Sequence, residues 1–422
     1  MTKVIDGGAG CDPFVVKVPE ILLPKDGADY SKWACIACDQ FTSEAGYWKE
    51  LDELTRGVCS TYHITYPEIF LGKDEDCRIE KINAEMQRYL DEGVFKTVKD
   101  AFILVERTTK YSDAPRYGLM IAVDLEAYDF KPFNKAYIKA TEGTILERLP
   151  VRIKIREHAP LEFPHIMLLA DDDKRTVIEP LAANKNALKL LYDFELNQGG
   201  GHIRGYKADD TASVLTAIYA LADGEALAKK YGRADCNFLF AVGDGNHSLA
   251  TAKACWERLK PTLDGGETAK NHPARYALVE LVNIYDDALK FEPIHRVVFD
   301  AGEEFLDGLK ALKGGGTITA FDGGGSYNIS VSENAADAIR QIQEYIEAYA
   351  KAHKEVTVDY IHGEEHLREV AASGGGIGIV MPSIKKRQLF PYVVERGVLP
   401  KKAFSMGEAE EKRYYLEAKR IK

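Results

Sequence analysis

The residues richest in reactive groups are GDGNHS, at 243–248. Six positions hold a carboxylate (Asp244), an amide (Asn246), an imidazole (His247) and a hydroxyl (Ser248), spaced by Gly243 and Gly245. An apolar, strand-like run, CNFLFAV at 236–242, leads in, and a helical pattern, LATAKACWERLK at 249–260, leads out. Glycine lets a backbone turn sharply and come close to a ligand. The first turn of a helix offers unpaired N–H groups at the positive end of its dipole. Together these make a seat for an anion, phosphate or carboxylate. A plain strand-to-helix junction uses the same parts, with Asp and Asn as ordinary turn and cap residues. The spacing is neither a P-loop, which ends in Gly-Lys-Ser/Thr, nor a dinucleotide fingerprint.

Other groups repeat the theme with less focus. Glu142, Glu147, Arg148, Arg152 and Arg156 form a polar cluster in which arginines four apart line one face, if a helix survives Pro150. Such a fork suits carboxylate or phosphate; the alternatives are a solvated face of salt bridges, or a strand through the alternation VRIKIRE. His295-Arg296, inside FEPIHRVVF, reads as a core histidine or as half of an anion site. The run Gly199-Gly-Gly-His202-Ile-Arg204 is either a backbone nest or a flexible loop. LPKKAFSMG places Lys401, Lys402 and Ser405 ahead of an expected charged helix. His362-Gly-Glu-Glu-His366 matches a zinc-hydrolase pattern, which needs both histidines on one helical face; His362 follows a strand-like run and is expected at its end. Cys35-Ile-Ala-Cys38 is a lone CxxC without the second pair that structural zinc requires.

Positioning these groups requires a mixed set of elements. Periodicity predicts a helix at 80–93 and a hairpin from AFILVERTT (101–109) and YGLMIAVDLEAY (117–128). A helix is expected at 141–149, stopping at Pro150, and a buried strand at PHIMLLA (164–170). One or two helices are expected across 210–231, then the signature strand, turn and helix, and a strand at 276–285. In the last third, glycine triplets bound short strands around an amphipathic helix at 333–352, with Ser332 as its expected cap. That βαβ-like alternation suggests a smaller α/β unit, with a division near 300.

A chain of 422 residues, 45% hydrophobic and 29% charged, is long enough for two or three domains of an ordinary soluble protein. A net charge of −11 argues against a nucleic-acid-binding surface. The first residues carry no basic region followed by an apolar core, and no run has the ~20 apolar residues that span a bilayer. Seven scattered cysteines fit reduced thiols and a cytoplasmic location.

In GDGNHS with its helix, Glu142 and Thr144 in KATEGTILERL, EPIHRVV (292–298) and LPKKAFSMG (399–407), in that family's order, the chain resembles the domain-of-unknown-function 1015 family over roughly 12–415. Asp39, in WACIACDQ, falls where that family tends to carry an early Tyr-Asp motif. The signature turn is similar to the Asp-Gly-His motif of the ParB/sulfiredoxin/free-serine-kinase superfamily. It departs from the Asp-Gly-His-His-Arg form, with Asn246 for the first His and Ser248 for the Arg.

The resemblance implies an α+β (mixed α/β) fold: a ParB/sulfiredoxin-like core with large insertions in 1–300, a smaller α/β region in 301–400, and a segment 401–422 packing back on the core. It implies ATP or ADP, or CTP, with phosphates at the helix start, and Mg2+ as the expected metal. The expected activity is phosphoryl transfer to a small polar metabolite such as a hydroxy-amino acid, with no nucleic-acid or membrane partner. Gly243, Gly245, Asn246 and Ser248 would cradle phosphate, and His247 would donate to the transferring group. Asp244 would contact metal or substrate and Glu142 would serve as general base. The missing arginine calls for another cation from Arg148, Arg296 or Lys402, with His295 and Asp39 nearby. The alternatives are a nucleotide-holding regulatory switch, favoured by Asn246 and the lost arginine, and a metal-dependent hydrolase using His362 and His366.

Overall fold

The structure is a computed structural model of the chain and describes residues 15–143, 149–233, 236–264 and 266–422. Its larger sheet has ten strands. The expected hairpin lies at its middle, with Phe102–Thr108 antiparallel to Arg116–Asp124. From Arg116–Asp124 the sheet continues through Tyr276–Asn283, Met167–Ala170, Phe240–Asp244 and Ile138–Ala140 to Tyr128–Asp129. His202–Ala208 and Lys189–Glu195 extend the other side. Every side chain of Met167–Ala170 is buried, as expected of a strand covered on both faces. The sheet is mixed. Met167–Ala170 runs parallel to Tyr276–Asn283 and antiparallel to Phe240–Asp244, which is parallel to Ile138–Ala140.

The glycine run 199–201 is a packed turn at the end of a hairpin. A Cβ on Gly201 would sit 2.1 Å from the Thr108 carbonyl oxygen, and one on Gly200 would sit 2.5 Å from the Tyr414 hydroxyl. The region 210–231 holds two helices, Thr211–Leu221 and Gly224–Tyr231. The signature helix, Asn246–Leu259, buries Leu249, Ala252 and Trp256 against the large sheet's core. Full burial of side chains the size of Leu249 contributes roughly 1.5–3 kcal/mol each, so this helix is fixed along its length.

A helix, Leu149–Arg156, runs on past Pro150, where a stop was expected, and most of the helix expected at 141–149 lies outside the described residues. Proline is tolerated in a first turn, where its missing N–H has no partner to lose. VRIKIR, 151–156, is therefore helical, with Ile153 buried against Ala250 of the signature helix. Thr144, Glu147 and Arg148 lie outside the described residues.

A second sheet has six strands centred on Phe291–Phe299, on the N-terminal side of the division expected near 300. Helices do alternate with strands, but another strand lies between the members of each crossover. Thr357–His362 and Ile377–Ile379 flank Phe291–Phe299, so every ladder is antiparallel. The amphipathic helix is Ala335–Ala352, and its cap is Asn334, not Ser332; Asn334 accepts from the Ala336 and Asp337 N–H groups.

The C-terminal segment is not the charged helix expected after Ser405. A short 3-10 turn, Ala409–Glu411, leads into Tyr414–Tyr415, paired with Cys35–Ile36, and Lys419–Arg420, paired with Leu161–Glu162. Arg413, Glu417 and Lys419 are buried. Arg413 pairs with Glu280 and Glu417, and Lys419 with Glu162, so these charges serve an internal network and not a solvated helical face.

Candidate functional site

Phe240–Asp244 delivers Asp244 to the edge of the core, and Gly245 turns the chain with φ +78° into helix Asn246–Leu259. A Cβ at Gly245 would lie 2.9 Å from the Ile166 Cα, and one at Gly243 would lie 2.9 Å from Leu169 Cγ and Met406 Sδ. Both glycines are thus required by close packing. No side chain caps this helix start. Asn246 Oδ1 is buried there without a hydrogen-bond partner, an arrangement that protein interiors rarely leave unexplained.

Sheet register brings the remaining groups to this turn. Ala140 pairs with Val242 in parallel, so Thr141 and Glu142 continue alongside Gly243 and Asp244. Thr141 Oγ1 donates to the Val242 carbonyl at 2.6 Å, and the Leu399 N–H donates to the Thr141 carbonyl at 2.7 Å. Met167 pairs with Asp244 in the antiparallel direction, which carries His165 to the first turn of the helix. There His165 Nε2 lies 3.1 Å from Ser248 Oγ and 3.9 Å from Asp39 Oδ2. Its Nδ1 lies 2.8 Å from the Tyr415 hydroxyl, which in turn lies 3.0 Å from Cys38 Sγ.

The two carboxylates at the turn are driven in opposite directions. Burial alone would raise Asp244, but the charges of Lys412 and His165 and the Gly245 N–H outweigh it and hold its carboxyl below the usual range. Lys412 Nζ stands 3.2 Å from Asp244 Oδ2 and donates to Ser405 Oγ at 3.2 Å. Burial pushes Glu142 up and the negative charge of Asp244 adds to it, while Lys402 and the Ala403 N–H pull the other way. Paired groups pushed apart in this way are the usual signature of a division of labour between an ionised carboxylate and a base.

The other residues singled out by sequence divide into those at the site and those that support it. His247 is half-buried at the second position of the helix, and its carbonyl accepts from Thr251 Oγ1 at 2.7 Å. Asp39 reaches the site through His165, with Gln40 donating to its Oδ1. Lys402 is exposed, with a left-handed backbone of φ +54°; strain of this kind gathers at functional loops. Arg296 is fully buried. Its Nε donates to Gln343 Oε1 at 2.9 Å, Nη1 to the Ile294 carbonyl, and Nη2 to the carbonyls of Lys401 (3.1 Å) and Lys402 (2.9 Å). It clamps the Lys401-Lys402 loop, and burial pulls its pKa down to about 10. His295 is a core histidine whose Nδ1 accepts from the Met381 N–H at 3.1 Å, with burial lowering its pKa.

His362 stands at a strand end as expected, and the zinc-hydrolase alternative fails on geometry. His362 ends strand Thr357–His362, Gly363 turns with φ +77°, and the helix begins only at Glu364. The two histidines therefore share no helical face, and His366 pairs with Glu369. No group of three or more His, Cys, Asp or Glu that could hold a metal occurs among the described residues. The CxxC is a pair of free thiols; burial raises both, pushing Cys38 up to about 12. Among the described residues no helix is long and apolar enough to cross a membrane.

Sequence reasoning missed His165, Lys412 and Tyr415. His165 stands two residues before a strand, the one signal that could have placed it at a strand mouth. Lys412 and Tyr415 sit in a charged run whose helical pattern pointed to solvent.

A family model described as a protein of unknown function (DUF1015) matches residues 22–419, and the chain belongs to that family. No curated protein matches it. Among solved structures, a free serine kinase in complex with AMP is 12% identical, with a TM-score of 0.38 over 75% of this chain and 95% of the other. SbnI from Staphylococcus aureus, with a C-terminal truncation, is 11% identical, with a TM-score of 0.36 over 68% and 82%. A conserved hypothetical protein from Pyrococcus furiosus is 10% identical, with a TM-score of 0.33 over 70% and 90%.

Proposed function

We propose that this member of the domain-of-unknown-function 1015 family is a nucleotide-dependent phosphotransferase that moves a phosphoryl group from ATP or ADP to a small hydroxyl-bearing metabolite. One observation carries the reading: helix Asn246–Leu259 begins without a side-chain cap, beside the buried, unpartnered Asn246 Oδ1. A phosphate supplies the acceptors that uncapped N–H groups lack, and a nucleotide supplies a donor for Asn246.

Phosphoryl transfer demands positioning and charge neutralisation more than covalent chemistry. In this reading the N–H groups around Gly245 to Leu249 and the Ser248 hydroxyl hold phosphate oxygens, and His247 donates to the transferring group. Lys412, with Lys402 on the neighbouring loop, neutralises developing charge, the part first assigned to arginine. Glu142 is the general base: burial and the charge of Asp244 raise its carboxyl above the ordinary range, which makes it the better proton acceptor of the two carboxylates. Asp244 stays ionised. Mg2+ suits this donor set, since it binds through phosphate oxygens, waters and one or two carboxylates without an all-protein cage; Asp244 is the carboxylate that would reach it, and the ion would offset phosphate charge.

Single-turnover assays with labelled ATP or ADP and a panel of hydroxyl compounds test the reading. Glu142→Gln should still bind nucleotide while transfer falls by about 10²–10⁴-fold, the range for a lost general base. Tight nucleotide binding by the wild type with label that never moves would leave a nucleotide-holding switch and end the phosphotransferase reading.

A further inference from the structure

Beside the helix start lies a cavity of about 160 Å³. Its wall is largely apolar, with Ile64, Leu71, Ile82, Met86, Ile155 and Phe163 around it. Of its remaining polar groups, Ser248, His165, Tyr415 and Cys38 form the hydrogen-bonded chain described above, with His165 facing Asp39 outside the wall, and the Thr65 and Thr251 hydroxyls donate to the carbonyls of Thr61 and His247. Its two arginines each face a carboxylate of the same wall, Arg152 with Glu68 and Arg156 with Glu162. Glu162 also accepts the Leu278 N–H and stands 3.4 Å from Lys419. The walls therefore present charge that is already compensated.

We propose that this cavity is the acceptor-substrate site, and that it selects a hydroxyl compound with an apolar body over a hydroxy-amino acid. The proposal rests on the phosphotransferase reading and narrows its substrate. An apolar cavity of about 150 Å³ takes a benzene ring, so this one seats a body of about six to ten non-hydrogen atoms. A free amino acid brings a carboxylate and an ammonium, and burying either without an uncommitted partner is strongly unfavourable. The hydroxyl of the bound compound lies at the Ser248–His165 end, next to the phosphate seat. Asn246, Asp244 and Lys412 are not part of the cavity wall, so nucleotide and acceptor approach the helix start from different sides; Glu142, also outside the wall, has to reach only the acceptor's hydroxyl and not its body. That arrangement is what direct transfer requires.

The test uses the full chain with three probes: benzyl alcohol, L-serine and ADP, each measured by calorimetry and by saturation-transfer NMR. Benzyl alcohol should bind with a Kd on the order of 1 mM, as expected for so few atoms, and L-serine more weakly. Leu71→Trp and Met86→Trp fill the cavity from separate elements, and each should weaken benzyl alcohol by about tenfold while leaving ADP affinity unchanged. Leu71 is half-buried in a turn, so that variant keeps the test available if the Met86 substitution fails to fold. Loss of ADP affinity in folded Leu71→Trp would make the cavity a nucleobase site and overturn the proposal. So would tighter binding of L-serine, or no binding of benzyl alcohol. A wild type that binds benzyl alcohol in the cavity but neither ADP nor ATP would instead overturn the phosphotransferase reading, leaving the apolar specificity of the cavity standing.

Discussion

Arg296 separates two accounts of the site, one in which it touches phosphate and one in which it holds the loop that does. Its guanidinium has four acceptors: Gln343 Oε1 and the carbonyls of Ile294, Lys401 and Lys402. Arg296→Gln removes the fork and most of these bonds. Gln343 is 4% exposed and so is Ile294, so their oxygens would be stranded away from water at about 1–3 kcal/mol each. The carbonyls of Lys401 and Lys402 belong to exposed residues, rehydrate readily and add little. The sum is about 2–6 kcal/mol of lost stability, read as a fall in the urea midpoint of roughly 1 M. Tryptophan fluorescence suits the measurement, because Trp33, Trp48 and Trp256 are all buried. Nucleotide affinity of the folded variant should change little, while transfer slows because the loop offering the Ala403 N–H to Glu142 loses its clamp. An unchanged midpoint, with nucleotide affinity down by about tenfold or more, is the mark of a lost charge-assisted contact and would refute the clamp.

Three further predictions concern the turn itself. Glu142 has a raised folded-state pKa, so its contribution is present below the unfolded value of about 4.3 and is lost as pH rises through the raised one; Glu142→Gln should match the wild type near about pH 4 and exceed its urea midpoint near about pH 8. Asp244 is depressed, so its contribution is held above the ordinary carboxylate range and lost as pH falls through the lowered value; Lys412→Met should move that loss to higher pH, and identical pH–midpoint curves would remove the pairing from the account. Gly245→Ala should cost about 1–2 kcal/mol for the left-handed backbone and about 1–3 kcal/mol more for the contact with Ile166, whose Cα cannot move aside as a side chain would; a thermal melt within error of wild type would show that the turn relaxes.

Sequence made the centre of the site legible because its parts are contiguous: two glycines, a carboxylate and a helix start can be read within six residues. Glu142 was legible as one member of a polar cluster and as a family position; its proximity to Asp244 comes from the parallel pairing of Ala140 with Val242, which no local pattern encodes. His295 and Arg296 looked like ligands because an adjacent imidazole and guanidinium suit anions, yet alternation along Phe291–Phe299 does not reveal that the strand is central and buried on both faces. His165, Lys412 and Tyr415 were hidden for a different reason: each acts through a partner more than 80 residues away in sequence. Pro150 misled through its usual meaning as a helix stop, which does not hold in a first turn.

The charges that misdirected the reading of the C-terminal segment also explain its part in the site. Arg413 is buried between Glu280 and Glu417, and Arg107 donates to the carbonyls of Gly200, Glu410 and Lys412. Apolar residues of similar volume would often stabilise such a position equally well, so stability alone does not account for them. Register does. Lys412 and Tyr415 stand on either side of Arg413, one at Asp244 and the other at His165. A slip of one residue in an extended segment turns each side chain to the opposite face, which would withdraw Lys412 from Asp244 and set Tyr414 where Tyr415 meets His165. Apolar contacts tolerate such a slip, whereas a guanidinium held between two carboxylates does not. The buried ion pairs thus tie the last residues of the chain to a turn some 170 positions earlier, and the site is complete only once that segment has docked.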